Sequence, residues 1–208
     1  MRRLVMSLGI FAVAAVLLLS ATACEQRTHV LRVANINAGN PILSDVADWW
    51  LYNDPTIPDS EEDFELMYTV HDDAAEVEFQ YLEVGAGLPT WTPYHVTMDT
   101  YTIWYQSIVD TSRHYDSVTA PMTLSVPVDR EGKKTVTSDL VLAHDYWKAN
   151  TFIALIGDEP GDAGFIDAVG AKVRFNGYDS VANRRVSAWG EFLIKFADYY
   201  DDPTVVSR

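Results

Sequence analysis

The chain of 208 residues contains a single cysteine, Cys24. No disulfide can therefore staple the domain internally, and no cysteine-rich zinc site can form. Positive charge is equally scarce, with 15 Lys and Arg against 30 Asp and Glu and a net charge of -15. A surface of that sign repels phosphate backbones, which argues against nucleic acid as a partner. The five histidines, His29, His71, His95, His114 and His144, include no His-x-x-x-His or His-Glu-x-x-His spacing, the arrangement that sets two imidazoles on one helix face for a metal. A Gly-x-Ser-x-Gly elbow, the turn that exposes a hydrolase nucleophile, is also missing. The longest apolar run, Leu8 to Leu19, is about twelve residues, short of the ~20 that a membrane-spanning helix needs.

What is present begins with a three-part leader. Arg2 and Arg3 precede the apolar run, and the small residues Ser20, Ala21, Thr22 and Ala23 follow it. That is the layout of a cleaved secretory signal over residues 1–23. The segment Leu19-Ser20-Ala21-Thr22-Ala23-Cys24 resembles the lipobox of bacterial lipoproteins, with Ala21 standing where that family usually has Leu. The resemblance implies acylation of Cys24, palmitate among the chains, and a membrane as partner. One acyl chain anchors marginally, whereas two or three hold a protein to the bilayer for good. Residues 24–28 then form the lipidated N-terminus and a short tether. In the same family an Asp after the cysteine retains the protein at the inner membrane. Here the residue is Glu25, so the resemblance implies lipid-anchored residence in the cell envelope, at the outer membrane of a Gram-negative host.

Residues 29–208 suit one domain, since a chain of that length buries ~70% of its unfolded surface. Alternation of apolar and polar residues predicts strands at His29–Asn37, Phe64–Val70, Glu76–Val84, Tyr94–Ile108 and Thr119–Val128. Ala38 to Asp63, with Gly39, Pro41, Pro55 and Pro58, reads as a long irregular stretch, and His71-Asp72-Asp73-Ala74 as a turn. In Tyr94–Ile108 the apolar phase changes from Val96 and Met98 to Tyr101, Ile103 and Tyr105, which predicts a β-bulge near Asp99-Thr100 or a strand passing between sheets. Pro127 cannot donate a ladder hydrogen bond, so its strand lies at an edge or its pairing ends there. Thr135 to Ile156 is open between strand and short helix. Val169, Ala171, Val173 and Phe175, then Val186, Ala188, Phe192, Ile194 and Phe196, predict a long hairpin.

About eight or nine strands with few helical patterns point to an all-β fold, an antiparallel two-sheet sandwich with long loops. The turn Asn176 to Asn183 between the two alternating strands resembles the penultimate hairpin of bacterial immunoglobulin-like surface modules, with Ala182 where Gly is common there. The resemblance implies an immunoglobulin-like fold and no particular ligand.

No catalytic residue stands out, and no nucleotide or metal site is expected. Calcium is the one ion worth weighing, through Asp158, Glu159 and Asp162 or the Asp198–Asp202 cluster, but neither follows an EF-hand spacing. The local pairs at His71-Asp72-Asp73 and His144-Asp145 sit at turns, where Asp serves the backbone. Six tryptophans and eleven tyrosines suggest a sugar-stacking surface. Trp49, Trp50 and Trp91 fall on predicted loops and are the tentative ligand surface, Trp104 is expected in the core, and Trp189 lies on the phase opposite its strand's apolar face. The expectation is a membrane-anchored envelope protein with a structural or interaction role, binding an envelope protein or a glycan. A carbohydrate-binding module is the alternative and a hydrolase the third reading.

Overall fold

Period-two alternation needs a dry face to bury against, and the strands find it in one another. The structure, a computed structural model, describes residues 29–53, 64–83, 95–129, 131–158, 164–180, 184–199 and 204–207. The strands are β1 (His29–Ile36), β2 (Ile42–Asp45), β3 (Asp48–Asn53), β4 (Phe64–Thr69), β5 (Asp73–Glu83), β6 (His95–Ser107), β7 (His114–Asp129), β8 (Val136–Ala143), β9 (Gly164–Asp179), β10 (Arg184–Asp198) and β11 (Thr204–Ser207). An α-helix, α1 (Asp145–Phe152), follows β8.

The larger sheet has eight strands. β5 takes β1 on one edge and β8 on the other, and β7, β6, β9 and β10 pair antiparallel in that order, with β2 closing the edge parallel to β10. The two halves join at Tyr81 and Leu82 of β5, which run parallel to Val128 and Asp129 of β7. That junction begins directly after Pro127, whose missing N–H would interrupt it. A second sheet has the order β11-β3-β4, with β11 parallel to β3.

The protein is thus mostly β, as the alternation predicts, and its ladders are mixed. The stretch expected to be irregular holds β2 and β3. The turn after β4 leads into β5 without the two pairing, because β4 belongs to the small sheet. The C-terminal hairpin is present as β9 and β10, paired from Asp179↔Arg184 to Gly164↔Asp198 with one register shift between Phe196 and Ala197.

The large sheet curls until its halves face each other. Phe79 of β5 meets Phe175 of β9 edge to face at 4.8 Å. Tyr101 and Tyr105 of β6 donate their hydroxyls to the carbonyls of Val141 and Leu142 in β8, each at 2.8 Å. Tyr81 of β5 donates to Asp179 of β9 at 2.7 Å. Gly190 lets β10 approach β1, since a Cβ there would lie 2.7 Å from Ile36 Cδ1. At one end of the curled sheet, α1 seats Trp147 and Phe152 against Phe196, Tyr105 and Tyr115. Asp72 accepts the Asp145 N–H at 2.8 Å and so satisfies one free donor of the first helical turn.

Candidate functional site

Of the tentative ligand tryptophans, Trp91 and the lipid-attachment residue Cys24 lie outside the described residues. Trp49 and Trp50 sit on β3 rather than a loop. Trp49 is buried, its Nε1 donating to Asp198 at 3.0 Å and its ring edge-on to Tyr68. Trp50 is half-buried. The reason is the small sheet: pairing with β4 and β11 gives this segment the burial that its prolines and glycines seemed to deny it.

Asp198 is consequently a buried acceptor, Asp158 is exposed, and Glu159, Asp162, Asp201 and Asp202 are outside the described residues. Among the described residues no three His, Cys, Asp or Glu side chains gather as a metal site. The two His–Asp segments do converge: His144 Nδ1 stands 3.8 Å from Asp72, while His71 pairs with Asp48 at 3.3 Å.

The aromatic surface that does exist lies on the outer face of β6, β9 and β10. Asp99 is the extra residue against β9, since Met98 pairs with Gly177 and Thr100 with Asn176. It shifts the inward phase from Val96 and Met98 to Tyr101, Ile103 and Tyr105, all buried. Had β6 run straight on from Met98, Trp104 would point into the core. The bulge instead turns it outward, correcting the expectation of a core position. Trp104 is 38% exposed and Trp189, on β10, is 48% exposed. Their rings stack across β9, centroids 5.6 Å apart and planes inclined by 27°.

Beneath and beside them β9 supplies two cations. Lys172 pairs in register with Trp104 and Arg174 with Trp189. The Arg174 guanidinium lies 5.5 Å from the Trp104 ring centre and 5.6 Å from that of Trp189, and Lys172 Nζ lies 5.2 Å from the Trp189 ring. Such contacts contribute ~0.5–2 kcal/mol each, depending on solvent exposure. Lys172 also faces Glu191 at 3.5 Å. Arg174 has no ion pair among the described residues, and its Nε is buried without a hydrogen-bond partner.

Two depressions flank the tryptophan pair. One, with a volume of about 540 Å³, is lined by Trp104, Gln106, Thr111, His114, Lys172 and Glu191 among others. Its floor is Gly170, where a Cβ would press on Ile108 Cγ2 at 3.3 Å. The other, of about 440 Å³, is lined by Asp99, Thr100, Arg174, Asn176, Arg185, Val186 and Ser187. Arg185 is ion-paired with Asp99 there. Both volumes fall within the range of small-ligand sites.

Two buried polar clusters resemble reaction centres in composition alone. Ser107, at the inner wall of the first depression, donates to Asp167 at 2.9 Å and accepts the Asp110 N–H at 2.9 Å. Tyr115 also bonds Asp167, and burial first, then that bond, raises the Tyr115 hydroxyl to about 12. Bonded to the Asp167 carboxylate, which Tyr115 also engages, and to the Asp110 N–H, Ser107 braces the β6–β9 edge and its following turn. Lys148 Nζ lies 2.8 Å from both Asp73 Oδ2 and the Asp45 carbonyl, and Ser44 donates to the same carboxylate oxygen at 2.6 Å. Lys148 is 1% exposed and Ser44 fully buried, so this cluster ties α1 to β2 and β5.

Compared with the models of protein families and with characterised proteins, the sequence matches none. Trp104 and Trp189 were missed as a pair because they are distant in sequence. The available signal was their common outward phase, on strands that each also carry a clear inward one.

Proposed function

We propose that this chain is a lipid-anchored protein of the bacterial cell envelope that binds a glycan or glycan-bearing partner through the outer face of β6, β9 and β10. The observation that carries the binding reading is the stacked, half-exposed Trp104–Trp189 pair between two depressions. Exposed indole faces are unusual on a wet sheet face, and they suit the C–H faces of sugar rings, while Gln106, Asn176, Thr100 and Ser187 offer groups for hydroxyls. The tyrosine bonds from β6 to β8 support a sandwich-like body of immunoglobulin type as the scaffold. In this reading the leader and Cys24 supply the anchor, and Glu25 after the cysteine favours the outer membrane over the inner one in a host that is Gram-negative.

The test of the anchor is intact mass and membrane fractionation of the full-length protein beside Cys24→Ala. Acyl mass on residue 24, with the variant released into the soluble fraction, supports the reading. Two identical soluble proteins would overturn it. The test of the face is intrinsic fluorescence during titration with polysaccharides, with Trp104→Ala and Trp189→Ala as controls.

A further inference from the structure

Resting on the glycan-binding reading above, we infer that the ligand is acidic: an extended polysaccharide carrying carboxylates, with its sugar rings on Trp189 and Trp104 and one carboxylate at Arg174. The chain as a whole has twice as many acids as bases, yet Lys172, Arg174 and Arg185 converge on this one face. Lys172 and Arg185 are matched by Glu191 and Asp99. Arg174 is the unmatched charge. Its guanidinium stands beside both indoles, 5.5 and 5.6 Å from their ring centres, and no acceptor meets its buried Nε. An arginine without an ion pair offers a planar fork whose natural counterpart is a carboxylate.

The shape of the face makes the ligand a chain. The tryptophan pair is a saddle with a depression on each side, Lys172 lining one and Arg174 the other. A single small molecule fills one depression, whereas a polymer crossing the saddle occupies both. An acidic peptide fits less well. β9 is paired on both edges, by β6 and β10, so a peptide strand has no open edge to extend here, and the usual backbone mode of strand addition is closed.

The experiment titrates the acylated full-length protein, in detergent, with polygalacturonate, with the fully methyl-esterified form of the same polymer, and with poly-glutamate. Tryptophan fluorescence reports binding. The expected result is binding of polygalacturonate that weakens about tenfold on esterification, in line with the loss of a charge-assisted bidentate contact. Arg174→Gln should bring the two polymers to the same affinity, and Trp189→Ala should weaken both alike. If Arg174→Gln fails to fold by circular dichroism, Arg174→Lys, which keeps the charge and loses the planar fork, should narrow the difference between the two polymers, and an unchanged difference overturns the assignment to Arg174. Equal affinity of the native protein for charged and esterified polymer overturns the acidic assignment and leaves the glycan reading standing. Binding of neither polymer overturns both. Poly-glutamate binding as tight as polygalacturonate, and indifferent to Trp189→Ala, overturns the inference in favour of a bare polyanion site.

Discussion

Tyr101 and Tyr105 hold the two halves of the large sheet together through single hydroxyl protons, each donated to a β8 carbonyl. Only the neutral phenol can donate. Burial, with smaller contributions from Asp72 and Tyr146, raises Tyr101 from its ordinary 10.0 to about 12, and burial pushes Tyr105 higher still. A pKa raised by folding means that the folded state keeps a proton the unfolded chain has lost. The stabilisation is therefore complete below pH 10 and disappears as pH climbs through about 12. Urea midpoints measured between those limits should fall with pH in the native protein and fall less steeply in Tyr101→Phe. At neutral pH that variant should lose about 1 kcal/mol, the net worth of one buried hydrogen bond. Identical slopes in the two proteins would mean that Tyr101 does not stay protonated as its burial requires.

At the scale of elements, the weakest-looking piece is α1, a helix of eight residues too short to persist alone. What docks it is Trp147, Phe152 and the Lys148–Asp73 ion pair. Lys148→Met should strand the Asp73 carboxylate with Ser44 as its remaining side-chain partner and cost about 3 kcal/mol, whereas Lys148→Met with Asp73→Asn should recover most of the loss. Urea unfolding of the two variants decides it, and equal destabilisation by both would show that the charge pair is not what holds α1. The helix was one of two alternatives the sequence left open, whereas the tie was not legible, because Lys148 and Asp73 are 75 positions apart and meet through tertiary packing alone. The hairpin of β9 and β10 was legible because its apolar phase runs unbroken from Val169 to Phe175 and returns from Val186 to Phe196. The bulge at Asp99 was legible as well, since Val96 and Met98 cannot share a face with Tyr101 and Ile103 unless one residue is extra. Followed one position further, the same reasoning puts Trp104 outside. β3 escaped notice because its burial comes from β4 and β11, partners that flank it in space while β11 lies at the far end of the chain.

For the whole molecule, the question is whether the anchor and the binding face can work together. The first strand starts at His29, which pairs with Glu83, and the end of β5, the start of β6 and the end of β9 all lie at that same end of the large sheet. Residues 25–28 span at most ~14 Å when extended, so an anchored domain keeps this end toward the bilayer. Arg174 and Lys172 lie roughly 17 and 23 Å along β9 from Asp179 at ~3.3 Å per residue. Headgroups therefore do not reach the tryptophan saddle, and acylation should leave its intrinsic affinity untouched. A long polymer would blur this, because many anchored copies engage one chain at once and avidity rises without any new contact. A short oligogalacturonide removes that effect. Acylated protein in vesicles and soluble Cys24→Ala should bind the oligomer with the same affinity, while the long polymer should favour the vesicles. A vesicle-bound protein that no longer binds the oligomer would place the saddle against the membrane, and with it the tryptophans' exposed faces in lipid rather than on sugar.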